Sequence, residues 1–149
     1  MLAVLDSGCD IGHPDLIGNL LPGIDVTKGK DSPPAPSLTD KDGHGTKVAG
    51  VASAVAGDFT GIDRASYNAK VLPIRIKDNV GDIKWDYICS ALRYIDNHQQ
   101  QVQVVNMSFS SPNSSVEAQR LVSDLRAKET VLVVADIPFV VDDKYFCHI

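Results

Sequence analysis

VLDSGCDIGHPDL at residues 4–16 and DGHGTKVAGVASA at residues 42–54 decide the reading of this chain. In the first stretch an apolar run led by Val4 and Leu5 stops at Asp6 and Gly8, the pattern of a buried strand reaching its end. Asp6 then stands at the carboxyl end of that strand. In open parallel sheets the crevice outside those ends is where ligands bind. Asp-Ser-Gly is also ordinary turn chemistry, and position alone leaves both readings open. In the second stretch His44 lies between Gly43 and Gly45, where a helix should begin. Asp42 or Gly43 would cap that helix, with Val48, Val51, Ala52 and Val55 on one face. Two glycines leave the ring face open, and a helix N-terminus disfavours the imidazolium, which suits a neutral general base. A lone Gly-His-Gly is nevertheless a weak signal, since a histidine in a turn accounts for it more often.

Outward from these stretches, strands and helices alternate. Leu20-Leu21 and Ile24 to Val26 suggest a short strand broken by Pro22-Gly23. Residues 27–41, with Pro33, Pro34 and Pro36, read as a surface loop. Ala69 to Ile76 reads as a strand, with Pro73 placing it near a bulge or an edge. Trp85 to His98 is a helix, because Trp85, Ile88, Leu92 and Ile95 share one face. Val102 to Met107 reads as a buried strand, Val116 to Lys128 as a helix with Leu121, Val122 and Leu125 inward, and Val131 to Ala135 as another buried strand. The implied fold class is α/β, a parallel sheet with helices on both faces.

Composition excludes several classes. The 149 residues are 44% hydrophobic and 22% charged, with net charge −5 and no basic run, which argues against a nucleic-acid binder. No apolar stretch approaches the ~18 residues of a membrane span. Residues 1–6 hold no basic segment before a long apolar run, so no signal peptide is read there. Cys9, Cys89 and Cys147 are widely spaced with no CxxC pair, which fits neither a zinc site nor a disulfide framework. Cys89 reads as a buried thiol.

Taken together, the two opening stretches resemble the Asp and His motifs of the subtilisin-like serine proteases. The resemblance extends to GIDRASYNAKVLPIRI at residues 61–76 and VVNMSFS at residues 104–110, four motifs in order over roughly residues 3 to 135. It implies a subtilisin-like parallel sheet, incomplete at its C-terminal side, with residues 1–135 a partial peptidase domain and residues 136–149 a divergent tail. Asp6 would orient the imidazole, and His44 would take the proton from a serine and return it to the leaving amine. A polypeptide substrate would add as an extended strand along Asn79, Val80 and Gly81 to Asp82 and along Ser108, Phe109 and Ser110. Members of the family are often secreted.

Departures from the family pattern carry their own expectations. Lys47 stands where a second histidine is usual, and Ser110 where glycine is usual, narrowing the cleft. Asp15 matches a position that often helps bind a structural calcium, but the loop before Gly61 is short, so no metal or other cofactor is expected and Asp15 reads as a turn-bonding carboxylate. After Ala135 the family continues with an oxyanion asparagine and later a Gly-Thr-Ser motif; here Asp136-Ile137-Pro138-Phe139 follows. Asn106 and Ser108 match the substrate edge rather than those roles. The expectation is a serine endopeptidase by family whose 149 residues are inactive alone. The alternative is a non-catalytic peptide-binding module. An unrelated small-ligand domain ranks last, since neither GxGxxG nor GxxxxGK[ST] occurs.

Overall fold

The apolar run that ends at Asp6 forms strand β1 (Leu2–Asp6), which lies between two parallel neighbours. The computed structural model describes residues 1–29, 38–57, 61–98, 101–110 and 114–135. Among them, β1 is joined by β2 (Ile24–Asp25), β3 (Val71–Arg75), β4 (Val104–Met107) and β5 (Val131–Val134) in a parallel sheet of order β2-β3-β1-β4-β5. Helices α1 (His44–Ser53), α2 (Trp85–Asn97) and α3 (Val116–Ala127) provide the crossovers.

Strand alternation assigns the two faces. Ala3 and Leu5 of β1, Leu72 and Ile74 of β3, and Val105 and Met107 of β4 point to one side. There they meet Ile88, Leu92 and Ile95 of α2 and Leu121, Val122 and Leu125 of α3. Val4 and Val71 point to the other side, where Ala49 of α1 packs with Cys9 and Leu16. Asp6 has the parity of Val4, so its side chain emerges on the α1 face. Among the described residues no helix is long and apolar enough to cross a membrane.

The elements read from sequence recur with shifts of a few residues at their ends, and four details differ. Strand β5, expected to be buried, is the outer strand among the described residues, with Val131 56% exposed and Leu132 to Val134 half-buried. Pro73 is not at an edge or bulge: β3 pairs with β1 on one side and β2 on the other. Val71 exchanges bonds with Asn19 and Leu21 on the β2 side, and Pro73 shares its parity. The missing N–H therefore faces Pro22-Gly23, where that ladder is already interrupted between the Leu20–Val71 bridge and Ile24. Helix α1 buries Gly45, Ala49, Gly50 and Ser53, whereas Val51 is 60% exposed and Val55 lies beyond the helix end. Small side chains form the inward face because the helix sits close to the sheet; a Cβ on Gly45 would lie 2.2 Å from the Gly8 carbonyl oxygen. Finally, the surface loop expected over residues 27–41 opens with a 3-10 turn at Val26–Lys28 and returns inward at Leu38, which is fully buried. Residues 30–37, the expected divergent tail at 136–149 and Cys147 lie outside the described residues.

Leu92 is 0% exposed at the centre of the larger core. Replacing it by alanine is expected to cost about 2–5 kcal/mol, seen as a lower urea midpoint with an unchanged slope.

Candidate active site

Local packing brings Asp6 and His44 together. β1 delivers the Asp6 carboxylate at its carboxyl end, and α1 begins at His44 after Gly43, whose φ of 79° is left-handed. The His44 Nδ1 lies 2.8 Å from Asp6 Oδ1 and 3.0 Å from Oδ2. Asp6 Oδ1 also accepts from the Ser7 amide at 2.7 Å. The Asp6 side chain is 6% exposed and that of His44 51% exposed, so the acid is enclosed and the ring reaches solvent. An ionised carboxylate only accepts hydrogen bonds, so a neutral His44 carries its proton on Nδ1 and turns Nε2 outward as the free base.

The support beneath this pair comes from residues to which the sequence reading gave no role, Asp40 and Ser7. Gly43, the N-cap of α1, has no side chain to bind the helix's first amides. Asp40 performs that task from three residues upstream. Its Oδ2 accepts from the Thr46 amide at 2.8 Å and the Thr46 hydroxyl at 2.6 Å. Its Oδ1 accepts from the Gly43 amide at 2.9 Å and the Ser7 hydroxyl at 2.8 Å. Ser7 Oγ in turn accepts from the Gly45 amide at 3.0 Å. Burial pushes the Asp40 carboxyl up, but the hydrogen bonds from Thr46, Ser7 and Gly43 outweigh it and hold the carboxyl below its usual range. The signal available in sequence was the acid shortly before a capless Gly-His-Gly, with Thr46 at the third helical position.

The expected substrate residues lie at the same end of the sheet, because β3, β1 and β4 are parallel neighbours. Asn79, Val80 and Gly81 sit at the tip of a turn after β3 rather than in an extended edge. The Val80 and Asp82 amides donate to Asp78 Oδ1, and the Gly81 amide to the Asp78 carbonyl. Ser108, Phe109 and Ser110 follow β4. Asn106 Nδ2 donates to Ser108 Oγ at 2.8 Å, and Phe109 packs partly against the larger core. An open cavity of about 210 Å³ beside the Asp6 loop is lined by Ser7, Asp42, Arg75, Lys77 and the 79–81 turn. Lys77 crosses its rim to pair with Asp42, which holds the Asp42 carboxyl low and the Lys77 ammonium high.

A family model described as the subtilase family matches residues 1–136. The chain belongs to the subtilase family. It is 30% identical over 134 residues to thermitase from Thermoactinomyces vulgaris, a match covering 90% of this chain and 46% of that protein. It is equally 30% identical to an intracellular serine protease from Paenibacillus polymyxa, covering 90% of this chain and 40% of that one. Among solved structures, the S41 psychrophilic protease superimposes with a TM-score of 0.80 at 30% identity, over 89% of this chain and 44% of its own. Sphericase gives 0.78 at 28%, with the same coverage. This subtilase chain thus spans less than half the length of these relatives, and its parallel sheet with helices on both faces is theirs.

Asp15 is the residue that the sequence weighed as a calcium ligand, and among the described residues its Oδ1 is buried with no hydrogen-bond partner. Asp15 is buried, its Oδ2 accepts from the Ile62 amide at 3.3 Å, and a Cβ on Gly61 would lie 2.0 Å from that oxygen. No group of three or more His, Cys, Asp or Glu among those residues could hold a metal ion. Through Oδ2, Asp15 ties the 61–62 segment to its own turn, a longer reach than the local turn bonding read from sequence. Both described cysteines are free and buried; burial, then Asp40 and Asp10, pushes Cys9 up to about 12.

Asp40 also sets a pH dependence. A carboxyl whose folded pKa lies below its unfolded value near ~3.9 adds stability above that value and loses it as pH falls through the folded pKa. The subtilase chain is thus expected to lose stability more steeply below about pH 4 than an Asp40→Asn variant, as read from urea midpoints taken across that range.

Proposed function

We propose that Asp6 and His44 are the acid and base of a serine-protease triad acting on polypeptide substrates, with the serine supplied from outside these 149 residues. The observation that carries this reading is the 2.8 Å contact between an enclosed carboxylate at the end of β1 and the Nδ1 of an exposed imidazole. With Nδ1 held, Nε2 is free to take a proton from a hydroxyl placed about 3 Å away and to return it to the leaving amine. Asp6 stabilises the imidazolium formed in between without itself taking the proton. The turn at Asn79 to Gly81 and the segment Ser108 to Ser110 would flank the peptide on either side of the pair. Residues 1–135 form this part of the peptidase domain, and residues 136–149 diverge from it.

Among the described residues, the His44 ring bonds to Asp6 and to no serine hydroxyl. In subtilisin, loss of the serine costs about 2 × 10⁶ in kcat. The 149-residue polypeptide by itself is accordingly inactive in this reading, and it also lacks the family's oxyanion asparagine after Ala135.

The test joins residues 1–135 to the C-terminal remainder of thermitase and treats both this chimera and the 149-residue chain with a serine-directed phosphonate. The chain alone is expected to stay unlabelled. A folded chimera is expected to label and to cleave peptides, with Asp6→Asn lowering kcat by roughly 10⁴-fold and His44→Ala by at least as much. Labelling of the chain alone, lost on His44→Ala, would show that one of its own serines is activated. A folded chimera that binds peptide without cleaving it would favour a non-catalytic binding module.

A further inference from the structure

We infer that Asp40 is a positioning residue for the Asp6–His44 pair, a side chain that fastens the segment carrying the acid to the helix turn carrying the base. This rests on the catalytic reading above for its importance to turnover, though not for its geometry.

His44 and Asp6 approach each other from separate elements, and their contact needs the loop after β1 and the first turn of α1 to keep a fixed spacing. Backbone sterics bring them close: Gly8 and Gly45 meet at a distance that excludes a Cβ on Gly45. Close approach alone leaves rotation and sliding of the turn open, and hydrogen bonds remove that freedom. On the helix side, Asp40 takes the Gly43 amide and both the amide and hydroxyl of Thr46, thereby bracketing His44 in sequence. On the strand side, Asp40 takes the Ser7 hydroxyl. Ser7 is the residue whose own amide donates to Asp6 Oδ1, the oxygen that also meets His44 Nδ1. The Gly45 amide donates to the same Ser7 hydroxyl, closing a ring of bonds that runs from Asp40 through Ser7 to Gly45 and back through Thr46. Thr46 Oγ1 adds a second tie to the strand side by accepting from the Asp10 amide at 3.0 Å.

The chemistry of the ring requires a carboxylate. Four donors converge on two oxygens of one residue, and an amide at position 40 would offer a single acceptor oxygen while turning an N–H group toward the other two donors. Charge adds to this, because the anion stands at the amino end of α1, where the helix's unsatisfied amides favour it. Asp40 touches neither ring nor carboxylate of the pair, so it acts through Ser7 and Thr46.

The experiment is proton and nitrogen NMR of the 149-residue chain with labelled histidine, following the His44 Nδ1 proton and its exchange with water. In the wild type that proton is expected to be protected and shifted far downfield. Asp40→Ala is expected to speed its exchange by about tenfold or more, the worth of one charged hydrogen bond, while methyl signals of Leu92 and Ile95 stay in place. Ser7→Ala cuts the link to the strand side but leaves Asp40 on Thr46, and it is expected to give the same loss with the amides of α1 still protected. A residue that merely capped the helix would leave the His44 proton unaffected in Ser7→Ala, and that result would overturn the inference. Should Asp40→Ala not fold, Asp40→Asn serves: faster His44 exchange upholds the inference, and wild-type exchange refutes it. The readout is a hydrogen bond and not hydrolysis, so an inactive thermitase chimera would count against the catalytic reading and leave this one standing.

Discussion

Strand β1 has ladders on both of its backbone edges, to β3 and to β4, and apolar packing on both of its faces. A slip of one residue would turn Ala3 and Leu5 out of the larger core and Asp6 into it. Burying an unpaired carboxylate there would be far costlier than any contact it could gain. The register of β1 is therefore over-determined, and with it the position of Asp6 on the face covered by α1. Everything that makes the site, from the helix start at Gly43 to the turn at Asn79, is referred to that one side chain.

The two faces of the sheet are built differently. On the α2 and α3 side, long apolar side chains fill a thick core. On the α1 side the helix presents Gly45, Ala49, Gly50 and Ser53, and it approaches so closely that there is little room for apolar volume. Hydrogen bonds to Asp40, Ser7 and Thr46 take over the fastening. Such contacts are directional and place groups to within a fraction of an ångström, as general-base chemistry needs, but they depend on an ionised carboxylate. The same exchange of volume for polar bonds makes the α1 face depend on an ionised carboxylate, whereas the opposite core rests on apolar packing.

Much of this was legible in the sequence. Periodicity found α2 and α3 because large side chains at helical spacing mark the buried face, as with Ile88, Leu92 and Ile95. Two motifs placed Asp6 and His44, and the structure joins them. What escaped reading were features carried by small or polar residues. The inward face of α1 is made of glycine, alanine and serine, so the valines alone suggested a face, and Val51 proved exposed. Pro73 signalled an edge, although only one of a strand's two sides loses a donor, and that side already faced a gap. Asp40 lay in a stretch read as surface loop, because its partners Ser7 and Thr46 become neighbours only once β1 and α1 have packed.

The central claim is that Asp6 holds His44 by its Nδ1 and leaves Nε2 as the working base. The most direct measurement is the tautomer of His44 in the neutral ring, read from long-range proton–nitrogen couplings in the 149-residue chain above the pH at which the ring loses its charge. The expected result is a proton on Nδ1, shifting toward Nε2 when Asp6 is replaced by asparagine through its carboxamide nitrogen. A neutral wild-type ring with its proton on Nε2 would contradict the claim, because no free base would then face the substrate side.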